Sequence, residues 1–204
     1  MKAKSILLLS VLFFLLSCQS KEEQIERLIE DALFRSLFDF SSYEPIETKI
    51  DSAFSSIYRD TLIISYAYLV QKELEDIDNY LRNIDRAQST MEIYFDSRSS
   101  SGRLRYNRAN QEVEENLSKA RESLSIINDY YDLIRERAET FQNDFIGWQA
   151  IHRYRTKTRG GHFDIGDNLY IIDPDLEKII YQESLDDEEL RSLRNLIDEA
   201  LEQD

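Results

Sequence analysis

VEENLSKARESLSIINDYYDLIRERAETF, residues 113–141, decides the fold class. Its apolar residues Val113, Leu117, Ala120, Leu124, Ile127, Tyr131, Ile134, Ala138 and Phe141 advance by alternating steps of four and three. That 3.5-residue repeat over four heptads is the pattern of a left-handed helical seam. Upstream, Val70, Leu74, Ile77, Leu81, Ile84 and Met91 keep the same alternation, with Gln88 in one apolar place. Between the two runs lies Asp96-Ser97-Arg98-Ser99-Ser100-Ser101-Gly102, polar and turn-prone. The chain is therefore expected to double back over residues 58–143 as a long antiparallel, coiled-coil-like helical hairpin. The same heptads would serve a dimer of long helices, so a homo-oligomer through them stays open.

Outward from the hairpin the periodicity changes. Residues 21–38 place Ile25, Leu28, Ile29, Ala32, Leu33 and Leu37 on one helical face, and the stretch Phe38 to Pro45 ends that helix. From Ile146 the period is two: Trp148, Ala150, His152 and Tyr154 share one face of a strand, and Ile151, Arg153, Arg155 and Lys157 the other. Thr158-Arg159-Gly160-Gly161 is a turn signal, Leu169–Ile172 a second strand, and Leu176–Tyr181 a third after Asp173-Pro174-Asp175. Ser184-Leu185-Asp186-Asp187 has capping-box spacing, and Leu190, Leu193, Ile197 and Leu201 follow as a stripe expected to pack on the sheet. The expected class is α+β, mainly α: a helical hairpin plus a three-stranded antiparallel meander and C-terminal helix over 146–203.

The N-terminus carries an address. Lys2 and Lys4 precede an apolar run, Ile6–Leu16, whose eleven residues span about 16 Å of helix, too short for a bilayer. It reads as a signal peptide, residues 1–17. Leu15-Leu16-Ser17-Cys18 resembles the lipobox of bacterial lipoproteins, which implies cleavage before Cys18 and acylation of its thiol. Several acyl chains would make a permanent membrane anchor. Residues 18–24 are then the acylated cysteine and its tether, and 25–204 a single mature domain. Lys21-Glu22-Glu23 resembles the surface-export signal of Bacteroidota lipoproteins, implying the outer membrane and exposure at the cell surface; without that signal the protein would face the periplasm. Asp51-Ser52-Ala53 and Asp60-Thr61-Leu62 resemble the O-glycosylation acceptors of the same phylum, with Ser52 and Thr61 as acceptors.

Composition narrows function. Removing residues 1–17 takes two of 25 basic residues and none of 40 acidic ones, leaving a net charge of −17. So acidic a chain repels phosphate polymers and anionic lipid heads, which argues against a nucleic-acid partner. Cys18 is the only cysteine, so no disulfide or thiolate chemistry remains after acylation. With a tight Gly160-Gly161 turn, His152 and His162 would lie roughly 23 Å apart at 3.3 Å per strand residue, too far to share a metal ion. No serine sits in a glycine-flanked elbow. Paired carboxylates for a hydrolase are plentiful but have no locatable position. Arg153, Arg155, Lys157 and Arg159 form a positive stripe on one side of the strand, able to receive carboxylates, sulfates or phosphates, or to pair with the acidic run Asp186–Glu189. Trp148, the only tryptophan, is either a sugar-stacking platform or part of the core face.

Together with the lipobox and hairpin, Ser42-Tyr43-Glu44-Pro45-Ile46, Lys49-Ile50-Asp51-Ser52-Ala53-Phe54, Phe145-Ile146-Gly147-Trp148 and His152-Arg153-Tyr154-Arg155 resemble a group of small uncharacterised lipoproteins of gut Bacteroidales. The resemblance implies the address and architecture and brings no catalytic residue and no cofactor. The expected function is a non-catalytic, lipid-anchored envelope protein acting as an interaction module for a protein or glycan partner. The alternatives are a carbohydrate- or anion-binding surface protein using the basic strand and Trp148, and a carboxylate-dependent hydrolase.

Overall fold

The computed structural model describes residues 20–202; Cys18 and the expected signal peptide, residues 1–17, lie outside them. The fold is α+β. Where one mature domain was expected, the chain clusters into two compact units, 20–55 with 143–187 and 56–142 with 188–202.

The first unit is a four-stranded antiparallel sheet covered by helix α1 (Lys21–Ser36). Its strands β1 (Glu44–Phe54), β2 (Phe145–Lys157), β3 (Phe163–Ile172) and β4 (Ile179–Ser184) lie in chain order. Helix α1 starts where Ser20 closes a capping box: its Oγ accepts the Glu23 N–H at 3.2 Å, and Glu23 Oε2 accepts the Ser20 N–H at 3.3 Å. Ile25, Ile29 and Leu33, four residues apart, are fully buried against Ala150, Tyr154, Tyr170 and Ile172. The even positions of β2 thus face the helix, as the period-two reading expects.

Strand β1 corrects the three-stranded meander. Its positions 48, 50 and 52 alternate with charged ones, but two of the three, Thr48 and Ser52, are polar, so no hydrophobic period marked it. It is a strand because its backbone pairs with β2 from Glu44↔Arg155 to Phe54↔Phe145. The last strand lies three residues later than expected. Asp173 holds residues 174–178 in a turn, its Oδ1 accepting the Glu177 and Lys178 N–H groups at 2.8 and 3.1 Å. The Gly160-Gly161 turn is wider than two residues: Lys157 pairs with Phe163, and Thr158 N–H donates to the His162 carbonyl at 2.9 Å. His162 therefore sits in the turn.

The second unit holds helices α2 (Thr61–Tyr94), α3 (Ser100–Glu139) and α4 (Glu188–Glu202). Asp60 with Arg137, Tyr66 with Tyr130, Asn83 with Asn116 and Tyr94 with Arg105 pair in descending order, so α2 and α3 run antiparallel. The expected line is kept in part: Val70, Ile84, Ala120, Ile127, Tyr131 and Ile134 are buried, but Ala87, Ala109, Asn116 and Ser123 join them while Leu74, Leu81 and Leu124 are 39%, 47% and 51% exposed. Two helices alone bury only the narrow strip between them, small residues let them approach, and larger side chains are left on the flanks.

Helix α4 also departs from expectation. Leu193, Leu196, Ile197 and Ala200 pack with Ile63, Ala67, Val70, Ile127, Tyr131 and Ile134 rather than on the sheet. An apolar stripe has no intrinsic partner, and α1 already occupies the inner sheet face. The expected capping box at Ser184 is a local turn within the end of β4, Ser184 Oγ accepting the Asp186 N–H at 3.3 Å.

Two stability predictions follow from this geometry. Gly147 has φ +139°, and a Cβ there would lie 1.9 Å from the Ile172 carbonyl oxygen. Gly147→Ala should destabilise the protein by about 3 kcal/mol in thermal unfolding; an unchanged melting temperature would exclude this close approach. Asp60 caps α2 through the Leu62 and Ile63 N–H groups and binds Arg137 at 2.8 Å. Burial opposes its charge, but the hydrogen bonds from Arg137 and the helix N–H groups outweigh burial and hold its carboxyl below the ordinary 3.8. The charge therefore stabilises the fold above that value, and the contribution is lost as pH falls through the depressed folded value. Asp60→Ala should cost about 1 kcal/mol at neutral pH. The gap between wild type and Asp60→Asn should close on acidification below the ordinary value, and a gap independent of pH would refute the charge assignment.

Candidate functional site

Strand β2 carries most of the residues singled out in the sequence, and the structure sorts them by face. Trp148 lies on the helix-covered side, half-buried in the α1 core, with Phe145 edge-on at 5.7 Å and the Lys21 ammonium 3.9 Å above its ring. That is the core placement. His152 lies on the same face, 3% exposed, with Nε2 2.8 Å from Tyr43 Oη and Nδ1 2.9 Å from Thr48 Oγ1. Its ring is flanked by Tyr43 and Tyr154, and Asn168 donates to Tyr154 Oη at 3.3 Å and Tyr170 Oη at 3.1 Å. A neutral imidazole needs one donor and one acceptor, and hydroxyls supply either. Burial pushes the His152 pKa below 6.5 and the Tyr43 phenol up to about 12. The network satisfies buried polar atoms, as a core requires.

On the opposite face the cations of β2 meet partners across the ladder. Arg153 pairs with Asp167 at 3.5 Å and Arg155 with Glu44 at 3.2 Å, each directly opposite in register. The acidic partners come from β3 and β1, not from the Asp186–Glu189 run. Arg155 and Lys157 stand 4.3 and 5.3 Å from the Phe163 ring, and Arg159 lies 5.8 Å from Phe38. Arg159 belongs to the turn beyond the strand, so the stripe brings together three cations and not four. Among the described residues no group of three or more His, Cys, Asp or Glu side chains is placed to hold a metal ion. Ser52 lies within the paired β1 ladder opposite Trp148, and Thr61 is the exposed first residue of α2.

The feature that sequence reading missed is the outer edge of β4. A groove of about 500 Å³ runs between α1 and β4. Leu28, Ala32, Ile179 and Ile180 supply apolar lining; Asp31, Arg35, Glu177 and Lys178 supply two charges of each sign. The two sheet edges are built differently. β1 carries Pro45, a register shift beside it, and Glu44, Glu47, Lys49 and Asp51, all devices that discourage further pairing. β4 reads Ile-Ile-Tyr-Gln-Glu-Ser, with one charge, Glu183, buried and accepting from Tyr181 at 2.6 Å. Ile180 is 45% exposed on this strand. The available signal was the pair Ile179-Ile180, two β-branched residues outside any helical stripe.

Comparison of the chain with protein-family models, with curated proteins and with solved structures finds no match in any of the three.

The buried imidazole makes a pH prediction. With the folded pKa depressed, the unfolded chain binds a proton first as pH drops, so stability present above 6.5 declines as pH falls below it. The melting temperature of the wild type should fall between about pH 7.5 and about pH 5.5, with a shallower slope in His152→Gln. Equal slopes would show that the ring is not held neutral by the fold.

Proposed function

We propose that the protein is a lipid-anchored binding module of the bacterial envelope that receives an extended segment of a partner protein along β4. The observation that carries this reading is an edge strand that shares a register shift with β1, at Ile180, but lacks its proline and its run of outward charges, beside a helix-walled groove with apolar lining. Addition of a strand to such an edge draws affinity from main-chain hydrogen bonds and selectivity from alternate side chains entering the groove. The balanced charges around the groove suit a partner recognised mainly by backbone and apolar contacts. In this reading the α2–α3 pair is a coiled-coil-like arm attached to the module. The Leu15–Cys18 lipobox resemblance supports the anchor, and Lys21-Glu22-Glu23 supports the outer face of the outer membrane.

The second reading, binding of an anionic glycan, is favoured by the cation–aromatic group of Arg155, Lys157 and Phe163. Arg153→Ala/Arg155→Ala separates the two: loss of glycan binding with an intact fold would favour this second reading.

Two measurements test the proposal. A photo-crosslinking side chain at Gln182 in intact cells should give a heterologous adduct that Ile180→Lys abolishes, while the same group at Asp51 on β1 gives none. Equal adducts at both edges, or none at Gln182, would reject the β4 edge. Surface exposure is tested by protease shaving of cells carrying Lys21→Ala/Glu22→Ala/Glu23→Gln, a set that leaves an amide at position 23 for the capping box. The wild type should be digested and the variant protected; digestion of neither, with controls cut, would place the protein on the periplasmic side.

A further inference from the structure

The end of the helical hairpin has a composition unlike the rest of the chain. Ile93, Phe95 and Leu104, at 74%, 72% and 69% exposed, are the three most exposed large hydrophobic residues among those described. Around them stand Arg98, Arg103, Arg105 and Arg108, and no acidic residue occurs from Ser97 to Gln111. Glu92 and Asp96 are the nearest acidic residues before this run, so the span 92–111 is net positive in a chain of net charge −15. Among the described residues none of these four arginines pairs with a carboxylate. Arg105 instead lies 5.3 Å from the Tyr94 ring and donates to its hydroxyl at 2.7 Å. On the same criterion Arg135, Arg137, Arg153 and Arg155 are each engaged by a carboxylate.

We propose that this tip is a membrane-docking end, which dips its apolar side chains into a lipid surface carrying anionic headgroups. Geometry selects a lipid surface over a protein partner. Ile93 and Phe95 are two residues apart in helical backbone, so they point about 200° apart around α2. No single flat surface covers both, whereas a fluid interface receives the whole end of the hairpin. Phe95 is steadied by the Tyr106 ring at 6.2 Å. Tyrosines at positions 94 and 106 suit the headgroup level, where an aromatic ring and a hydroxyl are both accommodated. Arginine guanidinium groups form paired hydrogen bonds with phosphate, and their stems lie along the acyl boundary. The tip holds its form by local bonds: Ser99 caps α3 at Gly102 N–H, and Ser97 packs so close to Gly102 that only a hydrogen fits there.

The inference does not depend on the β4 edge, and its test avoids both that edge and the lipid anchor. The mature chain carrying Cys18→Ser has no thiol, so Phe95→Cys and Ser118→Cys each accept one polarity-sensitive dye. Vesicles of phosphatidylglycerol with phosphatidylethanolamine are compared with vesicles of phosphatidylcholine. Unlabelled protein should float with the anionic vesicles about tenfold more than with the neutral ones, and less as salt rises. The dye at position 95 should shift to shorter wavelength and that at position 118 should not. Replacing Arg98, Arg103, Arg105 and Arg108 by Gln should remove most of the binding while leaving the helical circular dichroism unchanged. Equal flotation with both vesicles, binding without a shift at position 95, or binding unaffected by the arginine changes would overturn the proposal. So would saturable binding of polyglutamate to the tip without vesicle binding, which would assign the surface to an acidic protein.

Discussion

The first unit depends on pairing between two strands far apart in sequence. β1 ends at Phe54 and β2 begins at Phe145, and the ladder between them closes a loop that contains the entire helical hairpin. The closure is stitched by Ser55 N–H to the Asp144 carbonyl and by Asp144 N–H to Ser55 Oγ, both 2.8 Å, and by the Phe54 and Phe145 rings 5.9 Å apart. An unstructured loop of that length would cost about 4 kcal/mol in length-dependent entropy alone. The helices remove most of that cost, because α2 and α3 return the chain to its starting point by themselves. Asp60 and Arg137, near the two ends of the insertion, are held together independently of the sheet. Helical contacts with local origin therefore prepare a strand pairing that is remote in sequence, and Gly147, opposite Ala53 in that pairing, sits where the end of β3 leaves no room for a side chain.

This order of dependence explains which parts could be read from sequence. The long helices were visible because a 3.5-residue period repeated many times outweighs any single exception. The inner face of β2 was visible because Trp148, Ala150 and Tyr154 alternate cleanly, and α1 because Ile25, Ile29 and Leu33 share one face. β1 was hidden, since Thr48, Ser52 and its charged residues carry no apolar period; its conformation is imposed by β2. The same lack of local information misdirected α4. Its stripe of Leu193 and Ile197 fits any apolar surface, and only knowledge that α1 already covered the sheet would have sent it to α2 and α3. The hairpin seam was legible only in part, with Leu74, Leu81 and Leu124 left outside it, for another reason. Heptad arithmetic identifies positions, but whether Leu124 or Ser123 faces the partner depends on how closely the axes approach.

Of the candidate site, the basic residues of β2 were correctly placed opposite its core face, yet their use was only partly foreseen. Internal pairing is found for two of the four cations, Arg153 and Arg155, with Asp167 and Glu44 as partners in place of the C-terminal acidic run. Cross-strand neighbours win because they are already fixed opposite by the register, so pairing them orders little further chain. Such exposed pairs contribute only a few tenths of a kcal/mol to about 1 kcal/mol each. Their larger effect is to offset two of the three strand cations, leaving Lys157 without a paired carboxylate among the described residues. The β4 edge, by contrast, has little signature of residue type beyond the β-branched pair Ile179-Ile180. An open edge is a property of topology, and it becomes visible only once β1 is recognised as a strand and the two ends of the sheet can be compared.

The short run after Cys18 would, in the proposed lipoprotein, let an address and a fold share residues. Lys21, Glu22 and Glu23, proposed as an export signal, form the first turn of α1. Lys21 lies on the Trp148 ring and Glu23 closes the capping box, so two of the three already serve the folded sheet unit. In the proposed lipoprotein only Gln19 and Ser20 would separate the acylated cysteine from the helix, and the expected tether through residue 24 is shortened to that pair. A signal read before folding, from an extended chain, and a cap formed afterwards do not compete. Read after folding, the same residues would have to be recognised as one turn of helix, with Lys21 drawn toward Trp148 and Glu23 turned back on Ser20. The fold alone accounts for the acidic pair, because Glu22 and Glu23 in a first helical turn are favoured by the helix dipole with or without an export role.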